Sequence, residues 1–413
     1  MSATVIIGAG HAGIQLADSL RTRGHDRPIT VLSAESELPY QRPPLSKDYL
    51  AEGDPQPLPL RGTEFYHDHE IDLRRGTAVT GIDPRTRTIG CADGTRMHYD
   101  DLVLATGSRN RRLTLPSAQG PGVHYLRTAA DAALLHDDLD RATAAVVIGA
   151  GFIGLEFAAA AARRGIDVTV VEYGPRPLAR ALTYATTDQL TVTHRAAGID
   201  FQFDVQVSAI EHAHGRVSAV VGHDGRRFPA NLVVIGIGAD PQTDLAAAAN
   251  LRIDNGIHVD EFLRTSDEHI WAIGDCVSFP CTHAGTRVRR ESVQNAVDQA
   301  RALAATLTGT PTTYRDLPWF WSHQGACKVQ IAGAGGPIDR TVLPTDPGTG
   351  KFSTFCFRDD ILVAVESVNQ PAVHLAARKA LSAPQRPSLA DLTRAGFDLK
   401  SLSPARSAAI SMG

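Results

Sequence analysis

"TVIIGAGHAGIQ", Thr4 to Gln15, decides the fold, and "AVVIGAGFIGLE", Ala145 to Glu156, repeats it further along the chain. Each copy runs from an apolar strand through glycines spaced G-x-G-x-x-G into an apolar helix: Gly8, Gly10 and Gly13, then Gly149, Gly151 and Gly154. At this spacing the first glycine permits a tight turn. The second lets the backbone approach a pyrophosphate, and the third lets helix pack close to strand. The helix amino terminus then offers unpaired N–H groups and a positive dipole end to the phosphates. In both copies the next β-type run ends in an acid, "PITVLSAE" at Glu35 and "DVTVVE" at Glu172, where a carboxylate can accept hydrogen bonds from a ribose. A single motif could equally be an ordinary turn. Two of them, each in strand–turn–helix context and each with its acid, predict two dinucleotide sites.

The repeat extends past the glycines. "GCADGTRMHYDDLVLATG" (Gly90–Gly107) and "VVGHDGRRFPANLVVIGIG" (Val220–Gly238) share one layout, a hairpin with an Asp-Gly turn followed by a buried strand ending in glycine. The pattern predicts two α/β modules, the second inserted after the first has run most of its course. A helix is expected from Glu291 to Leu307. From about Trp319 the pattern changes to short β-type runs, "KVQIAG", "TVLPT", "KFSTFCF" and "ILVAVESV", with Arg358–Asp360 as a hairpin tip. A helix from about Ala372 to Leu381 follows, and "SPARSAAISMG" reads as a loose tail. The fold class is therefore α/β, two Rossmann-like dinucleotide-binding domains plus a C-terminal α+β domain. The expected boundaries are 1–108 with 240–316, then 109–239, then 317–413.

Composition narrows the function classes. The 413 residues carry 41 basic and 45 acidic side chains, a formal net charge of −4, unlike the strongly basic surface of a nucleic-acid binder. The five cysteines (Cys91, Cys276, Cys281, Cys327, Cys356) are scattered without C-x-x-C, which argues against a disulfide framework or a zinc site. No metal ligand set is expected. The apolar run 144–162 is interrupted by three glycines and Glu156, so a membrane span is the poorer reading. The first strand begins almost at Met1, leaving no room for a signal peptide, and a cytoplasmic location is expected.

With these motifs in place the chain resembles the glutathione-reductase-like flavoprotein superfamily. More closely it resembles the bacterial NADH:ferredoxin reductases, of the putidaredoxin reductase type, that serve haem-thiolate (cytochrome P-450 type) monooxygenases and Rieske ring-hydroxylating dioxygenases. The resemblance is carried by "GAGHAG", "YQRPPLSKDYL" (Tyr40–Leu50), "LATGS" (Leu104–Ser108), "GAGFIGLE", "AIGDC" (Ala272–Cys276), "ESVQNA" (Glu291–Ala296), "PWFWSHQ" (Pro318–Gln324) and "AVESVNQP" (Ala364–Pro371). It implies a tightly, non-covalently held FAD in the first module. The implied flavin-site residues are Gly8, Gly10, His11, Ala12 and Gly13, with Glu35 on the adenosine ribose and Asp275 on the ribitol. Arg42, Lys47, Val79, Ala105, Thr106, Gly107 and Arg127 join them, as do Gly274, Ser292, Val293 and Trp321. The second module is implied to take NADH through Gly149, Gly151, Phe152, Ile153, Gly154, Glu172, Arg180, Ile235, Gly236 and Gly238, with Glu291 also near the cofactors. Glu172 suits the free 2′-hydroxyl of NADH and repels a 2′-phosphate, although Arg176 and Arg180 lie close by.

Lys47 and Glu156 are the sharpest pair. Lys47 follows Ser46, which alone would pass for a helix N-cap. Glu156 falls on the opening turn of an apolar helix, where a charge is costly unless paired. The resemblance implies that lysine and glutamate meet beside the flavin N5, the lysine stabilising arriving electron density. The disulfide reductases of the superfamily keep redox cysteines in the first flavin helix region or in the nicotinamide module; this chain has none in either place. Electrons are therefore expected to leave singly from the flavin edge to a two-iron ferredoxin. Arg290 and Arg301, expected with Gln294 and Val297 on one helical face, are the candidate docking cations. The motif usually reading W-S-D-Q has His323 in place of the acid. A rubredoxin partner, or an NADH-sensing flavoprotein resembling apoptosis-inducing factor, are the alternatives.

Overall fold

The computed structural model describes residues 3–51, 55–333 and 336–401; the tail from Ser403 lies outside them. Contacts divide the chain into two compact units, one of residues 1–177 and 194–316, the other of residues 178–193 and 317–413.

The first unit holds the duplication as two parallel sheets of the same design. In one, Thr4–Ile7 sits in the middle, with Ile29–Leu32 and Ile71–Arg74 on one side and Asp101–Leu104 and Ile270–Ala272 on the other. In the other, Ala144–Ile148 is central, flanked by Asp167–Val171 and Ile199–Gln202, and by Leu232–Ile235 and Val123–His124. Corresponding strands occupy corresponding places. Ile270–Ala272 rejoins the first sheet after the second module has been completed, so the insertion read from the repeat is present in the topology. The central strands are buried apart from Ala144, which is why they read as unbroken apolar runs rather than alternating ones. Each sheet carries the same antiparallel three-stranded companion: Val79–Asp83, Thr88–Cys91 and Arg96–His98 in the first, Val207–Ala213, Arg216–Gly222 and Arg227–Pro229 in the second.

Helix His11–Thr22 packs against helix Val293–Leu307. That second helix begins two residues later than the sequence pattern suggested. Ser292 has extended backbone, and its hydroxyl accepts the Asn295 N–H at 3.1 Å, a cap that places Glu291 outside the helix.

The second unit is an antiparallel sheet ordered Trp319–Gln324, Cys327–Gly333, Ile361–Val368, Phe352–Arg358 and Arg340–Val342. Helices Pro371–Ser382 and Leu389–Arg394 close its core of Ala332, Phe355, Phe357, Leu362, Val365, Ala377, Leu381 and Leu392. Residues 178–193 belong here by packing. The buried Glu366 carboxylate accepts the Thr183 N–H at 2.9 Å and its hydroxyl at 2.7 Å, and Thr186 meets Thr354 at 2.8 Å.

Candidate functional site

The two glycine turns are built alike. Gly8, at φ +110°, lies so close to the strand ending at Leu104 that a Cβ would stand 2.2 Å from the Ala105 carbonyl oxygen. Gly149, at φ +102°, would place one 2.6 Å from the Gly236 carbonyl oxygen. A Cβ on Gly13 or Gly154 would strike the carbonyl oxygen of Gly8 or Gly149, at 2.0 and 2.3 Å. The middle glycines differ in kind: a Cβ on Gly10 meets nothing within 4 Å, and one on Gly151 meets only the Gly236 oxygen at 3.7 Å. Those open positions face helix amino termini that no side chain caps and whose first turns hold no acid. Space and a helix amino terminus without a side-chain cap or a first-turn acid together fit a pyrophosphate in each turn.

Around the first turn the structure gathers charged residues far apart in sequence. Glu35 Oε1 accepts Arg42 Nη2 at 2.5 Å, and its other oxygen accepts the Tyr40 hydroxyl. Arg42 Nη1 donates to the Arg127 carbonyl at 2.8 Å; Arg127 Nη2 in turn donates to Asp275 at 3.2 Å, which also accepts the Ser108 hydroxyl at 3.3 Å. His11 stands among them, its pKa brought down to about 4 by burial and by the charge of Arg42, so the imidazole is neutral. Gly274, at φ +85°, gives its N–H to the buried Gln299 at 2.8 Å, and a Cβ there would press on Ala12. Thr106 and Gly107 are held by Gln242. Val79 opens the strand Val79–Asp83, and Val293 the helix behind Ser292.

In the second turn Glu172 uses both oxygens on backbone. Oε2 accepts the Ala150 N–H at 2.7 Å and Oε1 the Gly174 N–H at 2.8 Å. The acid is thereby fixed against the glycine turn. Ile153 remains 43 % exposed on the helix's first turn, Phe152 opens that helix, and Ile235 to Gly238 leave the neighbouring strand. Arg180 is exposed and lies in the second unit, as does the half-buried Trp321.

Lys47 and Glu156 come together from the two modules. Lys47 Nζ donates to Glu156 Oε2 at 2.6 Å and to the Pro43 carbonyl at 2.8 Å. Helix Phe152–Arg163 packs on the 3₁₀ turn Pro43–Ser46. Glu156 lies one turn into that helix rather than on its opening turn, and at 4 % exposed a charge there is costly unless paired. The cap reading of Ser46 is corrected: no helix starts here, only the short turns Pro43–Ser46 and Asp48–Leu50, and the Ser46 hydroxyl donates to Glu156 at 2.5 Å.

The docking face of arginines also needs correction. Arg290 precedes the Ser292 cap, so it shares no helical face with Arg301, and its Nε is buried without a partner among the described residues. Arg301 is exposed, beside Asp298 at 3.7 Å. Glu291 pairs with Arg289. Tyr40, Ser46, Ser108 and Gln299 contact the candidate residues without having been predicted; Tyr40 and Ser46 stand in "YQRPPLSKDYL" and Ser108 in "LATGS", and only Gln299 carried no signal.

A model of the pyridine nucleotide-disulphide oxidoreductases matches residues 2–300, and one described as reductase C-terminal matches residues 319–403. The chain belongs to the pyridine nucleotide-disulphide oxidoreductase family. It is 48 % identical to a rhodocoxin reductase of Rhodococcus erythropolis over 397 residues, covering 96 % of this chain and 93 % of that one. The solved structure of a ferredoxin reductase from Rhodopseudomonas palustris superposes with a TM-score of 0.95 at 43 % identity, covering 98 % of this chain and all of that one. The reductase in a covalent putidaredoxin reductase–putidaredoxin complex gives 0.92 at 36 % identity, over 98 % and 99 % of the two chains. The chain is thus an oxidoreductase that uses a flavin and a pyridine nucleotide. All five of its cysteines are free and buried, and among the described residues no helix is long and apolar enough to cross a membrane.

Proposed function

We propose that this chain is a cytoplasmic NADH:ferredoxin oxidoreductase that holds FAD in the module of residues 1–108 and 240–316 and receives NADH in the module of residues 109–239, less the stretch 178–193 that belongs to the second unit. The observation that carries the proposal is the Lys47–Glu156 pair at 2.6 Å, a buried charge contact joining the first module to the helix of the second glycine turn. A flavin held there would supply two-electron chemistry towards a nicotinamide and one-electron chemistry towards an iron–sulfur carrier. The chain's own groups bind and align. The open turn at Gly10 receives the flavin pyrophosphate, Glu35 and Asp275 the hydroxyl groups of its ribose and ribitol, and Arg42 and Arg127 hold those acids in place. The turn at Gly151 receives the nicotinamide dinucleotide, and Glu172 its adenosine ribose. Lys47 places a positive charge where electron density arrives, and Glu156 keeps that charge from moving. With every thiol buried, reduction of a small disulphide is the poorer reading. A two-iron ferredoxin, acidic as a class, suits an exposed cation such as Arg301.

Stopped-flow mixing tests this reading. NADH should bleach the flavin much faster than NADPH, and a two-iron ferredoxin should then restore the oxidised spectrum. A long-lived flavin–nicotinamide complex that no ferredoxin discharges would overturn it.

A further inference from the structure

Ser46 is 1 % exposed and lies between the two charged groups of the site. Its oxygen is 2.5 Å from Glu156 Oε2, 3.3 Å from Lys47 Nζ and 3.5 Å from the Pro43 carbonyl oxygen. A serine hydroxyl has one proton and two lone pairs, an ammonium group only donates and a carboxylate only accepts. Ser46 accepts from Lys47, and its one proton goes to Glu156 at 2.5 Å rather than to the Pro43 carbonyl at 3.5 Å. Lys47 then spends its three protons on the Pro43 carbonyl, Glu156 Oε2 and Ser46 Oγ. Glu156 receives Lys47 and Ser46 on the same oxygen. The last torsion of a glutamate is broad and nearly two-fold, so its setting depends on the donors that reach the carboxylate. Two donors arriving at one oxygen from different directions restrain the orientation of the carboxylate plane beside the lysine.

We propose that Ser46 is a positioning residue for hydride transfer. It locks the Glu156 carboxylate and so fixes where the Lys47 charge stands. This rests on the reading above that Lys47 and Glu156 border the reacting flavin. Ser46 itself gains and loses no proton in the reaction. Its effect comes through alignment, to which a transfer between two bound rings is steep in response.

The test uses Ser46→Ala in the flavin-loaded protein. A hydrogen bond to a buried charge is worth about a tenfold change or more. The limiting rate of flavin reduction by NADH is expected to fall roughly tenfold on that basis. The isotope effect with NADH deuterated at the transferred position should rise and the flavin midpoint potential should move to more negative values. The Michaelis constant for ferredoxin should not change, and Ser46→Thr, which keeps the hydroxyl, should recover most of the rate. A normal limiting rate and potential in Ser46→Ala with full flavin content would overturn the proposal. Should that variant fail to retain flavin, thermal unfolding of the apoproteins decides. Non-additive losses for Ser46→Ala, Glu156→Gln and the double variant support the lock, and additive losses refute it. Lys47→Met separates the two readings: if it too reduces at the normal rate, the assignment of the pair fails, whereas a slow Lys47→Met beside a normal Ser46→Ala removes only the role of Ser46.

Discussion

Replacing Lys47 by Met separates what the buried pair does for stability from what it does for reaction. At 2.6 Å and an effective dielectric constant near 20, the direct attraction is about 6 kcal/mol before the cost of desolvating both groups. Losing one member of a buried pair typically costs about 3–5 kcal/mol, because the other charge stays buried. Glu156, 4 % exposed, would keep the Ser46 hydroxyl but lose its cation. For a unit of this size that loss corresponds to a fall in the unfolding midpoint of roughly 5–10 °C. Adding Glu156→Leu removes the stranded charge and fills its volume, so the double variant Lys47→Met/Glu156→Leu should regain most of the midpoint. The rate should not follow. With the Lys47 cation gone from its place against Glu156, reduction by NADH stays slow in both variants, by on the order of a hundredfold or more if the charge acts as transition-state stabilisation. Differential scanning calorimetry reads the first quantity and anaerobic stopped-flow absorbance the second. The reasoning is refuted if the double variant is as unstable as the single one, or if either reduces its flavin at the wild-type rate.

The glycine turns offer a contrast between folding and binding. Gly8→Ala would force a Cβ to 2.2 Å from the Ala105 oxygen at φ +110°, and should yield misfolded protein. Gly10→Ala, whose Cβ meets no protein atom within 4 Å, should leave the apoprotein's unfolding midpoint near wild type while flavin content drops sharply. Glu172→Ala releases the Ala150 and Gly174 N–H groups. It should raise the Michaelis constant for NADH about tenfold and erode the preference over NADPH, read from steady-state kinetics with both donors. In the second unit His374 is buried beside Arg378, and burial first, then that charge, lowers its pKa from 6.5 to about 4. Neither ring nitrogen has a partner among the described residues, and the ring lies 5.7 Å from Trp319. Between those two values the unfolded chain binds a proton that the folded chain does not. Stability should therefore fall as pH drops from about 6.5 towards 4 and be insensitive to this group above. His374→Phe should flatten that slope in acid unfolding curves; an unchanged slope counts against the assignment.

Much of this protein is legible locally. The strand–glycine–helix units, the acids closing the next strands and the paired hairpins are short-range patterns, fixed by turn geometry and by the burial of both faces of a parallel strand. The same spacing that signals each turn leaves it no alternative, since Gly8, Gly13, Gly149 and Gly154 touch backbone that a side chain would displace. Helix ends were less secure. Glu291 belongs to the helix by pattern alone, and the Ser292 cap excludes it.

Tertiary structure decided the partners. Nothing in "YQRPPLSKDYL" tells that the Ser46 hydroxyl turns from capping to the Glu156 carboxylate. Nor does local sequence say that Arg42 serves Glu35 while Arg127 serves Asp275, or that Glu366 draws residues 178–193 into the second unit. Side-chain charges find their partners only after the chain has closed, because an unpaired charge is costly only once water has been excluded. The sequence alone therefore determined the two cradles and their order. The closed fold determined which buried charges meet between them, and thus where Lys47 stands.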